Sequence, residues 1–162
     1  MVLTAMLFAA AMVLSFVENS LPPLPITIPG VKFGLSNIAV MYALFFINVS
    51  SAFTIAVLKA GFTVMTRGAV AGLLSLTGGL LSVIIMLVLL RVFKDKLSYF
   101  ALSMSGAVSH NIGQYMVVSM INPVAVMWYY LPVLLISGIL AGLLTSVLLK
   151  FILPAFKKLD LK

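Results

Sequence analysis

The sequence predicts an all-α integral membrane protein, a bundle of six transmembrane helices. Three observations carry this expectation. First, the 162 residues are 64% hydrophobic and 8% charged, with mean hydropathy +1.29. A soluble domain of this size is nearer half apolar and a quarter charged, so this chain cannot cover its surface with charge and lipid must do so. Second, the apolar residues fall in runs that approach the roughly 20 residues a spanning helix needs. Third, most of the net charge of +7 lies in two short clusters beside such runs. That pattern follows the positive-inside rule and needs no nucleic-acid partner to explain it.

The elements follow in order. Helix 1 is expected over residues 1–20, closed by ENSLPPLP. No basic residue precedes this run and no convincing cleavage site ends it, so it reads as a retained helix and not a signal peptide. Helix 2 is expected over 34–48, after the polar stretch IPGVKFGLSN. Helices 3 and 4 are expected over 51–68 and 72–92. Only Asn48, Ser50 and Ser51 mark the break between helices 2 and 3. Only Arg67 and Gly68 mark the next, which leaves a re-entrant segment open there. Helix 5 is expected over 99–121, ended by Asn122 and Pro123, and helix 6 over 126–152, stopping before Pro154. No repeat or second composition divides the chain, so residues 1–162 read as a single transmembrane domain.

Arg91, Lys94 and Lys96 fall in the connection between helices 4 and 5; Lys150, Lys157, Lys158 and Lys162 fall near the C-terminus. Six helices bring both clusters to one side. The positive-inside rule makes that side the cytoplasm and places both termini there.

Several chemistries are excluded by residue count. The chain has no cysteine, and so no disulfide, thiolate nucleophile or cysteine-ligated metal. With one histidine and three acidic residues, no metal site is expected. No catalytic constellation, P-loop or bound cofactor is indicated, so an ATP-driven role would need a partner that hydrolyses the ATP.

Informative residues are polar groups inside apolar helices, where an ionisable side chain costs roughly 2.5–3.5 kcal/mol on insertion scales. Lys59 and Arg67 lie eight apart on helix 3, about 80° apart in azimuth, with Thr63 between them. Lys59 is expected about 12 Å in from the cytoplasmic end and Arg67 about 24 Å along. On helix 5, SHNIGQ puts His110 and Gln114 one turn apart on one face with Asn111 beside them, His110 about 16 Å and Gln114 about 22 Å from the helix start. Glu18 lies near the outer end of helix 1. Together with Lys32 and Asn37 in the IPGVKFGLSN stretch, these eight residues (Glu18, Lys32, Asn37, Lys59, Arg67, His110, Asn111 and Gln114) are the candidates for binding a small-molecule substrate. Glu18, Lys32, Asn37, Arg67 and Gln114 fall in the outer half or outer loop, as a pocket open to the outside would require, and Lys59 lies deeper toward the inside. The bland alternatives are snorkelling to the headgroups, mutual pairing and helix-to-helix hydrogen bonds. Trp128, Tyr129 and Tyr130 are further candidates, to stack on a ligand or to form an interfacial belt. Small residues at four-residue spacing (Ala5 and Ala9, Gly68 and Gly72, Gly138 and Gly142) allow close helix contacts.

Four segments, FVENSLPPLPITIPGVKFGLSNIAVMYAL, LSLTGGLLSVIIM, GAVSHNIGQ and YYLPVLLISGILAGLLTSVL, resemble the Gx transporter family, often labelled heptaprenyl diphosphate synthase component I. That family is similar to the substrate-binding S components of energy-coupling factor (ECF) transporters. The resemblance covers nearly the whole chain. It implies a six-helix protein of the prokaryotic cytoplasmic membrane that captures a vitamin or similar micronutrient from outside, under a lid formed by the connection between helices 1 and 2. It implies docking on a transmembrane T subunit driven by a cytoplasmic ATPase pair, through an Ala-x-x-x-Ala pattern that Ala5 and Ala9 match. The synthase label sits badly with the residues, since no run of acids is present to hold Mg²⁺. Three readings stay open: a substrate-capture subunit, a membrane subunit associated with polyprenyl diphosphate or quinone synthesis, and a scaffold without ligand.

Overall fold

In the computed structural model, the structure describes residues 2–20, 34–121 and 130–158. Six α-helices make up nearly all of this: α1 (Val2–Ser20), α2 (Asn37–Phe46), α3 (Val49–Arg67), α4 (Ala69–Phe93), α5 (Tyr99–Ile121) and α6 (Tyr130–Lys158), with a short 3-10 turn at Lys94–Lys96. No strand occurs among the described residues. α3, α4 and the Leu131–Phe151 part of α6 are long and apolar enough to cross a membrane, and α1 and α2 are shorter apolar helices. α5 has the length, but SHNIGQ lowers its hydropathy.

The helix boundaries have local causes. α2 starts three residues later than expected because Gly34, at φ +71, opens a turn in which Asn37 N donates to Gly34 O at 2.9 Å. α3 starts at a proper cap: the Asn48 side chain accepts a hydrogen bond from Ser51 N at 2.6 Å. Replacing a capping Asn by Ala costs about 1 kcal/mol. Asn48→Ala should therefore lower the unfolding midpoint in detergent modestly, read by circular dichroism, whereas Asn48→Asp should hold it. The junction between α3 and α4 is a sharp corner and not a re-entrant segment. Gly68 sits at φ +89 and ψ 171, ends α3 by donating to Val64 O, and leads directly into Ala69. This φ is open to glycine and strained for other residues.

α6 corrects the expectation that it ends before Pro154, since it runs on to Lys158. Proline removes one backbone donor, but membrane helices tolerate it because neighbouring groups re-satisfy the freed carbonyl.

α2 forms the centre of the bundle. Its residues Ile38 to Leu44 are all buried, as expected of a helix apolar all round its circumference. At ten residues it is about 15 Å long, half the hydrocarbon thickness. It touches α1, α3, α4 and α6, while α3 to α6 pack each on the next.

Glycines set two close contacts between helices. A Cβ on Gly113 of α5 would lie 2.9 Å from Gly78 Cα and from Thr77 O of α4. A Cβ on Gly142 of α6 would lie 2.7 Å from Met104 Cα of α5, and Gly138 faces Val108 and Asn111 of α5. The Gly138/Gly142 pair is thus internal packing. The Gly68/Gly72 pair is not a contact between helices of this kind: Gly68 is the corner with open space beside it, and Gly72 faces Val64 across the corner. Ala5 and Ala9 are exposed on α1, beside exposed Met6, Val13 and Phe16. The exposed cations Arg91, Lys94, Lys96 and Lys150 gather at the end of the bundle where α4 and α6 finish and α5 begins.

Candidate functional site

From the other end, where α1 and α3 finish and α2 and α4 begin, a cavity of about 80 Å³ reaches into the bundle as far as Ser103 of α5 and Thr145 of α6. All six contribute lining residues. The volume is ample for several water molecules, each of which needs roughly 10–15 Å³ on this measure.

Seven of the eight candidate residues line this one cavity: Glu18, Asn37, Lys59, Arg67, His110, Asn111 and Gln114. Lys32, Trp128 and Tyr129 lie outside the described residues, as does the side chain of Tyr130. Arg67, the last residue of α3, is exposed at the mouth, whereas Glu18, Lys59, His110, Asn111 and Gln114 are each at most 9% exposed.

These buried groups differ in what holds them. Lys59 Nζ donates to Asn37 Oδ1 at 2.5 Å, which joins α3 to the first residue of α2. Lys59 thereby belongs with the others and does not stand apart toward the cytoplasmic end. Glu18 Oε1 accepts from Gly34 N at 2.6 Å, and its carboxylate lies within electrostatic range of Lys59. The end of α1, the turn before α2 and the middle of α3 are therefore tied by charged and charge-assisted contacts. Asn111 serves another contact: its Nδ2 donates to Leu134 O at 2.7 Å and to Ser137 Oγ at 3.2 Å, fastening α5 to α6.

His110 and Gln114 are different. His110 Nδ1 and Gln114 Oε1 are buried side-chain atoms with no hydrogen-bond partner among the described residues. Gln114 makes no side-chain hydrogen bond there at all. A buried polar group left unpaired costs about 1–3 kcal/mol, so these two atoms are the points of the described wall where a further polar partner, water included, gains most.

Small hydroxyl residues, inconspicuous in the sequence, complete the wall. Ser75 and Ser82 lie two turns apart on α4. Ser103, Ala107, His110 and Gln114 share one face of α5 at spacings of four, three and four. That spacing is legible once His110 is taken as an anchor. Ser103 Oγ is paired with Thr145 Oγ1 at 2.6 Å and donates to Gly142 O at 2.8 Å, so this part of the wall is satisfied internally. Among the described residues no group of three or more metal-ligating side chains gathers.

Comparison with known proteins gives the family and the fold. The family model described as heptaprenyl diphosphate synthase component I matches residues 7–152. The chain belongs to that family. Among solved structures it is similar to the S component of a bacterial ECF transporter, with TM-score 0.67 over 99% of this chain and 96% of that one, at 18% identity. A likeness at that identity shows the fold: this member of the family has the helical architecture of an S component and is a multi-pass membrane protein. The search of curated proteins gave no match.

Proposed function

We propose that the chain is the substrate-binding S component of an ECF-type importer, held in the cytoplasmic membrane of a prokaryote with both termini inside. It captures a small anionic or polar-aromatic micronutrient from outside, of the vitamin, flavin or redox-cofactor precursor kind. The observation that carries this reading is the cavity with His110 Nδ1 and Gln114 Oε1 unpaired among the described residues in its wall and Arg67 at its mouth, within a fold similar to an S component. The cavity lies at the end opposite the basic cluster, which the positive-inside rule turns outward. Polar and ionisable groups that face an intramembrane cavity mark a ligand path by default. The chain carries no ATPase motif, so transport rests on a T subunit and a cytoplasmic ATPase pair; exposed Ala5 and Ala9 on α1 offer a close-packing face to the T subunit.

The family description favours a second reading, a membrane subunit of polyprenyl diphosphate or quinone synthesis. Against it stand the carboxylate of Glu18 inside the cavity and the lack of an acid cluster for Mg²⁺ among the described residues. Affinity purification of the tagged chain from its host's membranes separates the two. The transport reading expects a T subunit and two ATPases in the eluate. Recovery of a soluble prenyltransferase without ATPases contradicts it.

A further inference from the structure

The charges and the unpaired atoms of the cavity together restrict what it holds. Among the described lining residues, Lys59 and Arg67 are cationic and Glu18 is anionic. Lys59 is already engaged, with Asn37 as its hydrogen-bond partner and Glu18 as its nearby counter-charge. The Arg67 side chain makes no hydrogen bond or ion pair among the described residues. With His110 counted neutral, one positive charge is left over, and it sits at the mouth.

Deeper in, the unpaired atoms, Gln114 Oε1 and His110 Nδ1, belong to uncharged groups. Gln114 lies seven residues from the end of α5, about 10 Å down the helix axis, and His110 one turn further. A carboxamide presents a donor and an acceptor side by side, and exchanging its N and O leaves that statement unchanged. A neutral imidazole adds one donor and one acceptor. Groups of this kind match a planar edge that itself carries a donor beside an acceptor. They do not match a hydrocarbon tail, which would leave Gln114 Oε1 and His110 Nδ1 unpaired. Nor do the described residues match a polyanion, which would face Glu18 with one spare cation among them.

We propose, resting on the capture reading above, that the molecule held here is a monoanion whose acidic group meets Arg67. Its buried end carries an N–H next to a carbonyl, as in a lactam, imide or primary amide, paired with Gln114 and steered by His110.

The test is the chemical class of the molecule that the chain carries when purified in mild detergent from its own host. Tandem mass spectrometry with deuterium exchange counts the acidic groups and the N–H groups. The expected result is a molecule with one acidic group and an N–H beside a carbonyl. Gln114→Met, which keeps the volume and removes both hydrogen bonds, should carry about tenfold less of it, with unchanged helix content. Gln114→Asn, which keeps the amide but shortens it, gives the same reading if the Met variant does not fold. A carried diphosphate, or a carried molecule without such an N–H, overturns this class and leaves capture standing. Wild-type protein that carries nothing above a mock purification overturns capture itself, and this proposal with it.

Discussion

Lys59→Met should destabilise the protein by about 3–5 kcal/mol, the range for removing one member of a buried charge pair. Lys59 is 7% exposed, holds Asn37 at the start of α2, and places its charge near Glu18. Methionine fits the space but leaves Asn37 Oδ1 without its donor and Glu18 without that counter-charge. The unfolding midpoint in detergent should fall sharply. Adding Glu18→Gln should recover part of the loss, because the carboxylate that has lost this counter-charge is then neutral. Equal midpoints for wild type and Lys59→Met would remove the argument that this contact ties α1, α2 and α3 together.

The second large effect is expected at the α4–α5 contact. Gly113→Leu puts a side chain where even a Cβ meets backbone, at 2.9 Å from both Gly78 Cα and Thr77 O. Overpacking a tight core costs typically 1–3 kcal/mol, and the cost is at the upper end when the obstacle is a backbone that cannot rotate away. α4 and α5 carry Ser75, Ser82, His110 and Gln114 on the cavity wall, so a forced separation also deforms the site. Size-exclusion chromatography should show Gly113→Leu losing its monodisperse peak on mild heating well before wild type. Gly61→Ala is the control, since nothing lies within 4 Å of a Cβ there, and it should behave as wild type.

How much of this was legible in the sequence follows from what lipid penalises. Helix number and order were readable from the apolar runs, because the hydrocarbon thickness fixes a minimum length. Lys59, Arg67, His110 and Gln114 stood out because each is costly in an apolar helix. Serine and threonine hide, because within a helix they satisfy themselves on the preceding turn: Thr145 Oγ1 bonds Ala141 O at 2.9 Å, and Thr63 Oγ1 bonds Lys59 O at 2.9 Å. The Gly78–Gly113 contact joins residues 35 positions apart on two helices, and no local spacing announces it. Asn111 shows the limit of reading residue type alone. It lies beside His110 and Gln114 in sequence and on the cavity wall, yet its amide donors go to α6. The end of α6 was misplaced because Pro154 reads as a stop by the rules of water-soluble helices, and a membrane helix relaxes those rules.

If the chain captures a small molecule from outside the cell, this cavity holds it. The mass profile of small molecules released on denaturing tests this in three preparations from the native host: wild type, Arg67→Ala and a mock purification. One species should be enriched in wild type and depleted in Arg67→Ala while the variant stays folded. Identical profiles in all three preparations would contradict it.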